Sequence, residues 1–424
     1  MLTVPIISVT GTKGKTTTVA VIADVLKKLD HNVLKVDTTG HFVNGERRST
    51  LEDSKDAWWL VPSVAPGRYL WEFFAHPELR ENGVAVLECS LGSSAASGLA
   101  YRYHSVGVFL NVFEDHLGSS DRLKTKADIA EAKQFIFSRL YHKGGYAVFN
   151  ADDPLVVGRL IKLPKGNTAK LLPFGFDFSE FDLASHLAAG GMAVTRDNDT
   201  IVLRSAERDT VLADLKRIPW TFNGTFLPSV WNIMAAASAM YGLYDGALPN
   251  GFREALESVR LDPYGGRLTL LKNNNDVTIL ADYAHEKISL ELVGSLARTL
   301  VHNDGKVIGV VRLAHDRTDD LIKETGRIIG RSYDEVVVYD KIDGHFRKAQ
   351  SARRFPQIVG RTSEILADAA RESNEHVTRI LREDEAAAYA ASIARPGDVV
   401  VYIVNDDIER SIGFIKDGFK ADFV

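Results

Sequence analysis

Val4-Pro5-Ile6-Ile7-Ser8-Val9, then Gly11-Thr12-Lys13-Gly14-Lys15-Thr16-Thr17, then Val19-Ala20-Val21-Ile22-Ala23-Asp24-Val25-Leu26 read in order as strand, glycine loop and helix. β-Branched residues crowd the first run, while Val19, Ile22, Ala23 and Leu26 recur at helical spacing in the third. Backbone N–H groups and a helix N-terminus then converge on one point, which suits an anion. Lys15 can reach terminal phosphates there, and the Thr16 hydroxyl can sit on Mg²⁺. Residues Gly11, Thr12, Lys13, Gly14, Lys15, Thr16 and Thr17 are therefore the candidate site for a nucleoside triphosphate. The common pattern places a glycine five residues before the Gly-Lys pair, and here Val9 stands in that place, so the loop is a shorter variant with Gly11 inside it.

The chain has 424 residues, 45% hydrophobic and 25% charged, which are soluble-globular values at a length that calls for two or three domains. A net charge of -5 argues against a nucleic-acid partner held by bulk electrostatics. One cysteine, Cys89, excludes an internal disulfide and a multi-cysteine zinc site, and fits a reducing cytoplasm. As a residue it reads as small and buried. No signal peptide or membrane span is visible, because the densest apolar stretch, Trp231 to Leu243, is short and interrupted by Asn232, Ser238 and Gly242.

Strands are expected at 4-9, 33-37, 84-88, 105-111, 145-149 and 170-174, and helices at 15-29 and 125-140. Met192 to Arg204 and Val211 to Phe222 alternate and suggest antiparallel strands, read as a side sheet of the first domain. The breakers Asp262-Pro263-Tyr264-Gly265-Gly266 mark an interdomain hinge. Apolar runs at 277-281, 307-311, 335-339 and 399-403, separated by helical segments, suggest a second doubly wound domain. The expected architecture is α/β: a mostly parallel phosphate-loop sheet with an antiparallel side sheet over 1-262, then a Rossmann-like domain over 263-424.

Four more motifs carry chemistry. Glu88 ends the strand Val86-Leu87-Glu88 and is a candidate Mg²⁺ ligand, since open α/β sheets bind ligands beyond the C-terminal ends of their strands. In Asn111-Val112-Phe113-Glu114-Asp115-His116-Leu117, His116 offers an imidazole nitrogen to a metal and Asp115 can orient it. Lys133 lies in the following helix, where a lysine is by default a surface cation. Asp282 in Ile279-Leu280-Ala281-Asp282-Tyr283-Ala284-His285 can accept from ribose hydroxyls, and Arg267 on the hinge can swing onto a phosphate.

In this order the motifs resemble the Mur ligase family of ATP-dependent amide-forming ligases, over nearly the whole chain. Asn150-Ala151-Asp152-Asp153-Pro154, Trp231-Asn232 and Gly266-Arg267 also match. Asp115-His116-Leu117-Gly118 and Gly145 to Pro154 look like the subgroup that holds the ligase module of cyanophycin synthetase. The resemblance implies that Lys15 binds the β- and γ-phosphates, Thr16 holds a first Mg²⁺, and Glu88 and His116 hold a second. It implies a carbamate on Lys133 that helps to position metal, with Asn232 near the adenine, Asp282 on the ribose and Arg267 on a phosphate. His285 joins Lys15, Lys133, His116 and Arg267 as a candidate catalytic residue.

The implied reaction converts a carboxylate to an acyl phosphate with ATP and passes it to an amine. The substrates would be a small-molecule acid and an amine or amino acid, handled by a monomer or homo-oligomer in the cytoplasm, without nucleic acid or membrane. The chain starts at the phosphate loop, so a UDP-muramyl precursor and two-amino-acid polymerisation are not expected. Arg312-Leu313-Ala314-His315-Asp316-Arg317 and Val404-Asn405-Asp406-Asp407 replace patterns that lie near the amino substrate in relatives, which implies an unusual amine. Trp58, Trp59 and Trp71, with Arg47, Arg48 and Arg68, sit where relatives bind the acid, although packed core aromatics are the simpler reading. Two rivals remain open: a ligase-like nucleotide-binding partner without turnover, and an enzyme that passes the acyl phosphate to a nucleophile other than an amine.

Overall fold

Two sheets organise the chain, one in each of two compact units, Met1–Arg260 and Leu261–Val424. The computed structural model describes residues 4–50, 61–95, 98–114, 121–141, 143–163, 168–315, 317–342 and 358–424. In the first unit the strands are β1 (Ile6–Thr10), β2 (Asn32–Asp37), β3 (Gly40–Val43), β4 (Glu46–Thr50), β5 (Gly83–Glu88), β6 (Val106–Phe109), β7 (Tyr146–Asn150), β8 (Lys170–Gly175), β9 (Ala193–Asp197), β10 (Thr200–Arg204) and β11 (Asp209–Asp214). Their order is β11-β10-β9-β8-β7-β6-β1-β5-β2-β3-β4. From β2 across to β9 every neighbouring pair is parallel. β1 lies in the middle and is buried along its whole length, Ser8 and Thr10 included, as befits a strand covered on both faces.

The antiparallel strands expected after residue 175 are present as β10 and β11, and they continue the edge of the main sheet. The short helix Leu183–Ala188 carries the chain over, so that β9 joins β8 in parallel before the sheet turns antiparallel. Alternation in a sequence reports a half-buried strand and does not say which sheet it joins. Beyond Asp214 the expected strand gives way to 3-10 turns at Leu215–Arg217 and Pro219–Thr221, where Pro219 has no N–H to offer a ladder. The helix expected at 125-140 is broken into Lys126–Lys133 and Phe135–Ser138. Gln134 N bonds back three residues to Glu131 O at 3.2 Å, and that tightened turn ends the first helix at Lys133.

In the second unit β12 (Thr269–Asn273), β13 (Thr278–Asp282), β14 (Val307–Val311), β15 (Glu335–Val338), β16 (Val377–Arg379), β17 (Val399–Ile403) and β18 (Ala421–Phe423) are ordered β16-β15-β14-β17-β13-β12-β18. β16 to β13 are parallel, and β12 and β18 close the edge antiparallel. Ile279, Ile308 and Val400 pack with Ala386 and Ala390 of helix Glu383–Ile393 and Ile412 and Ile415 of helix Ile408–Phe419. Side chains alternate along a strand, so Leu280, Val399 and Val401, also buried, serve the other face. The unit is wound on both sides.

Candidate functional site

The register of β1 against its neighbours assembles the site in the first unit. Val9 pairs with Glu88 of β5 and Thr10 with Phe109 of β6, so the loop after β1 emerges between Glu88 and Asn111. Asn111 clamps it: its Oδ1 accepts from Thr12 N at 3.1 Å and Lys13 N at 2.8 Å, and its Nδ2 donates to Lys13 O at 3.1 Å. Phe113 N donates to Thr12 Oγ1 at 3.0 Å. Gly14 has a φ of 83°, and a Cβ there would lie 2.3 Å from Asn232 Oδ1, so only glycine fits both the left-handed turn and the close approach. Gly11 is similarly confined, its φ 150° and a Cβ 2.8 Å from Leu110 Cβ.

Helix Lys15–Lys28 has no acidic residue in its first turn and two lysines, Lys27 and Lys28, in its last. Its dipole is therefore stabilised at the C-terminal end and left uncompensated where an anion would sit. Lys15, Thr16 and Thr17 precede the first helical bond, Thr18 N to Gly14 O at 2.8 Å, and their N–H groups belong to the open turn. Lys15 Nζ rests on Thr12 O at 2.9 Å. Thr17 is buried, and Lys13 is half-buried.

Glu88 is 1% exposed. Its Oε2 accepts from Thr16 Oγ1 at 2.9 Å and Thr38 N at 3.2 Å, and its Oε1 accepts from Thr38 Oγ1 at 2.9 Å. Among the described residues no cationic side chain pairs with this buried carboxylate. Hydroxyl and carboxylate oxygens are the hard donors that Mg²⁺ prefers, and the negative charge needs a partner, so Thr16 and Glu88 fit a divalent cation. His116, expected as a further ligand, lies outside the described residues, as does Asp115. Thr38 was not foreseen: it follows β2, the other neighbour of β5, and a polar Asp37-Thr38-Thr39 turn at a strand end is its only signal in the sequence.

Lys133 is 3% exposed, which overturns its default reading as a surface cation. Its charge reaches Cys89, the residue after Glu88. Burial pushes the Cys89 thiol up to about 12 against hydrogen bonding from Tyr101, leaving an unreactive thiol. The helix that ends at Lys133 begins with a reciprocal cap, Thr125 with Asp128. Asp153 holds the Asn111 segment through Val112 N at 2.7 Å and caps its own helix through Leu155 N at 2.9 Å. Asn232 Oδ1 accepts from Thr18 Oγ1 at 3.3 Å, which places it against the loop helix.

In the second unit Asp282 Oδ2 accepts from Leu268 N at 2.9 Å and so fixes the backbone beside Arg267. The Arg267 guanidinium lies 5.0 Å from the centre of the Tyr283 ring, and His285 Nδ1 is 2.9 Å from Tyr283 O. Arg312, beyond β14, is fully buried over the same ring at 4.7 Å and donates to Val404 O from Nε at 3.1 Å. Tyr283 Oη donates to Asp406, which pairs with Lys341 Nζ at 2.7 Å. Burial would raise the Asp406 carboxyl, but Lys341 and Arg312 hold it well below the usual carboxylate range. Apart from Arg267 and Leu268, which precede β12, these residues lie at or just beyond the C-terminal ends of β13, β14, β15 and β17, where open sheets place ligands.

Fold and site together define a doubly wound α/β protein with a phosphate loop, a buried carboxylate beside it and a second α/β unit. Residues 9–240 match the Mur ligase middle domain and residues 266–403 the Mur ligase, glutamate ligase domain. The chain belongs to the Mur ligase family. It is 30% identical over 417 residues to a cyanophycin synthetase from a Nostoc species, a match that covers 97% of this chain and 42% of that protein. The chain thus spans less than half the length of that relative. It is 25% identical over 306 residues to a Bacillus cereus UDP-N-acetylmuramoyl-L-alanyl-D-glutamate–2,6-diaminopimelate ligase, covering 70% of this chain and 55% of the other. Among solved structures, E. coli FolC in complex with DHPP and ADP superposes with a TM-score of 0.65 at 16% identity, covering 97% of this chain and 89% of that one. No helix among the described residues is long and apolar enough to cross a membrane.

Proposed function

We propose that this protein is an ATP- and Mg²⁺-dependent ligase that joins a small-molecule carboxylate to an amine through an acyl phosphate. The observation that carries the reading is Glu88, a buried carboxylate without a cationic partner among the described residues, bonded to Thr16 on the phosphate-loop helix. Family membership supports the reaction class, and relatives solved with ADP support the nucleotide. Bound Mg²⁺ would supply neutralisation of phosphate charge, with Thr16 and Glu88 as its protein donors.

In the first step an oxygen of the substrate carboxylate attacks the γ-phosphorus, the bond to the β-γ bridging oxygen breaks, and ADP departs with that electron pair. Lys15 leaves its place on Thr12 O to follow the charge on the β- and γ-oxygens, and the N–H groups of the first helical turn hold the β-phosphate. In the second step a neutral amine attacks the acyl carbon, inorganic phosphate leaves, and the amine gives up a proton. The burial of Lys133 supports the carbamate that the resemblance implies, since CO₂ addition there would turn a buried cation into an anion. The family resemblance assigns Asn232 to the nucleoside, Asp282 to the ribose and Arg267 to a phosphate, with His285 a candidate catalytic residue.

The test is release of ADP and phosphate by purified protein over a panel of acids and amino acids. Turnover is expected only when acid, amine, ATP and Mg²⁺ are all present. ADP release that ignores the amine, or none across a broad panel, would count against the ligase reading.

A further inference from the structure

Away from the phosphate loop, a cavity of about 420 Å³ opens among Arg217, Glu254, Glu257, Ser258 and Arg260. Ligand cavities run from roughly 300 to 1,000 Å³, so this one suits a small metabolite. Lys28, the last residue of helix Lys15–Lys28, donates to Ser258 O at 2.8 Å, which puts the cavity at the opposite end of that helix from Gly14. At about 1.5 Å per residue, the 14-residue helix separates it from the loop by roughly 20 Å. The two sites are distinct.

Charged side chains line the cavity, and they are incompletely used. Glu257, at the end of helix Phe252–Glu257, is 3% exposed. Its Oε1 accepts from Asp214 N and from Arg253 Nε, each at 2.8 Å. Its Oε2 is buried and takes no hydrogen bond, because Arg217 Nη1 stands 2.9 Å away as an ion pair but out of line. A buried carboxylate oxygen in that state gains from an arriving donor. The Arg217 side chain is 62% exposed, so little packing holds it over Glu257. Arg260 spends Nη1 on the carbonyls of Glu257 at 3.2 Å and Val259 at 2.9 Å, which leaves Nε and Nη2 without a partner among the described residues. Glu254 is exposed, and no cation among the described residues pairs with it.

We propose that this cavity binds a free α-amino acid, with its ammonium group donating to Glu257 Oε2 and Glu254 and its carboxylate accepting from Arg260 and Arg217. A simple anion entering here would meet two carboxylates, and a simple cation two guanidinium groups. A zwitterion meets an opposite charge at each end, and the unused edge of a guanidinium group suits a carboxylate. The site is separate from the place where acid and amine would react, and it does not depend on the ligase reading above.

The experiment is calorimetric titration of the full chain, without ATP or Mg²⁺, with each of the common L-amino acids, and then with the methyl ester and the N-acetyl derivative of whichever binds best. At least one amino acid should bind, and each derivative, lacking one charge, should bind more than about tenfold more weakly. Glu254→Gln should weaken the amino acid about threefold and Arg260→Gln about fivefold, since both side chains are exposed, and neither should change the melting temperature or the release of ADP. Glu257→Gln should weaken it more than about tenfold. If that variant fails to fold, the two exposed variants decide. Binding of none of the amino acids, an ester or N-acetyl derivative that binds as well as its parent, or full affinity in both Glu254→Gln and Arg260→Gln would overturn the inference, the last by placing the amino acid elsewhere on the chain. A chain that binds an amino acid here and releases no ADP with any acid and amine would overturn the ligase reading alone.

Discussion

Glu88 and Asp406 are both carboxylates at or just past the C-terminal end of a parallel strand, and the protein treats them in opposite ways. Glu88, 1% exposed, has two threonine hydroxyls and a backbone N–H as its described partners. Asp406 has an ammonium at 2.7 Å, a tyrosine hydroxyl and a buried guanidinium nearby. The second unit has balanced its charges internally, and the first has left its site needing a cation and an anion from outside. Asp152 and Asp153 in the first unit shift the opposite way from Asp406, because burial raises both even though backbone N–H groups bond to them. The first unit should therefore respond to ligand and metal, and the second should lose stability as pH falls.

Lys15→Ala gives the largest expected effect. Its ammonium rests on a backbone carbonyl in the ligand-free chain, so its loss should cost little folding stability but about 10³-fold in ADP release, the usual scale for removing a charge that follows phosphate in the transition state. A thermal melt beside the assay checks both halves, and a large drop in stability would break the contrast. Asp406→Asn should do the reverse in kind: it leaves Lys341 and Arg312 without their anion and should destabilise the second unit by roughly 3 kcal/mol in denaturant melts. Folding lowers this carboxyl's pKa, so its contribution is complete above the unfolded value of about 4 and drains away as pH falls towards the folded value. The variant should thus show a flatter acid limb than the wild type, and parallel limbs would show that the pair carries no stability.

Glu88→Gln tests the other side. Wild-type chain at saturating MgATP should gain about 2.7 kcal/mol at a hundredfold excess over Kd, and most of that gain should need the metal. In the variant ATP should stabilise equally with Mg²⁺ and with EDTA. A variant that keeps its metal dependence would place the cation elsewhere.

How much of this was legible depends on how local each feature is. Strand, glycine loop and helix at residues 4-26 could be read because every constraint lies within a few residues, and Glu88 because a charged residue ending an apolar strand stands out. Lys133 could be read only by resemblance, since its burial follows from a helix that stops at Gln134 and packs its last residue inward. Nothing in the residues around Arg312 announces a guanidinium at zero exposure, because its acceptor, Val404 O, is 92 residues away. The antiparallel strands were visible as strands, but their place at the edge of the main sheet depends on the crossover helix Leu183–Ala188.

Thr38 is the case where local reading failed at the site itself, and it sets the smallest of these tests. β2 and β5 are 45 or more residues apart in sequence and adjacent in the sheet, with Val36 opposite Leu87, which brings Thr38 onto Glu88. Its hydroxyl donates to Oε1 at 2.9 Å and meets Ser63 Oγ at 3.1 Å, while its N–H serves Oε2 at 3.2 Å. Thr38→Val keeps the shape and the backbone bond but withdraws one donor from a buried charge, which should cost about 1.5 kcal/mol in the ligand-free chain. Once a metal satisfies Glu88 the same loss should shrink, so the variant's deficit is expected to narrow when MgATP is added, and Thr38→Ser should restore it. A deficit unchanged by MgATP would mean that Glu88 keeps its hydroxyl partners when nucleotide is bound and that the cation is held by other oxygens.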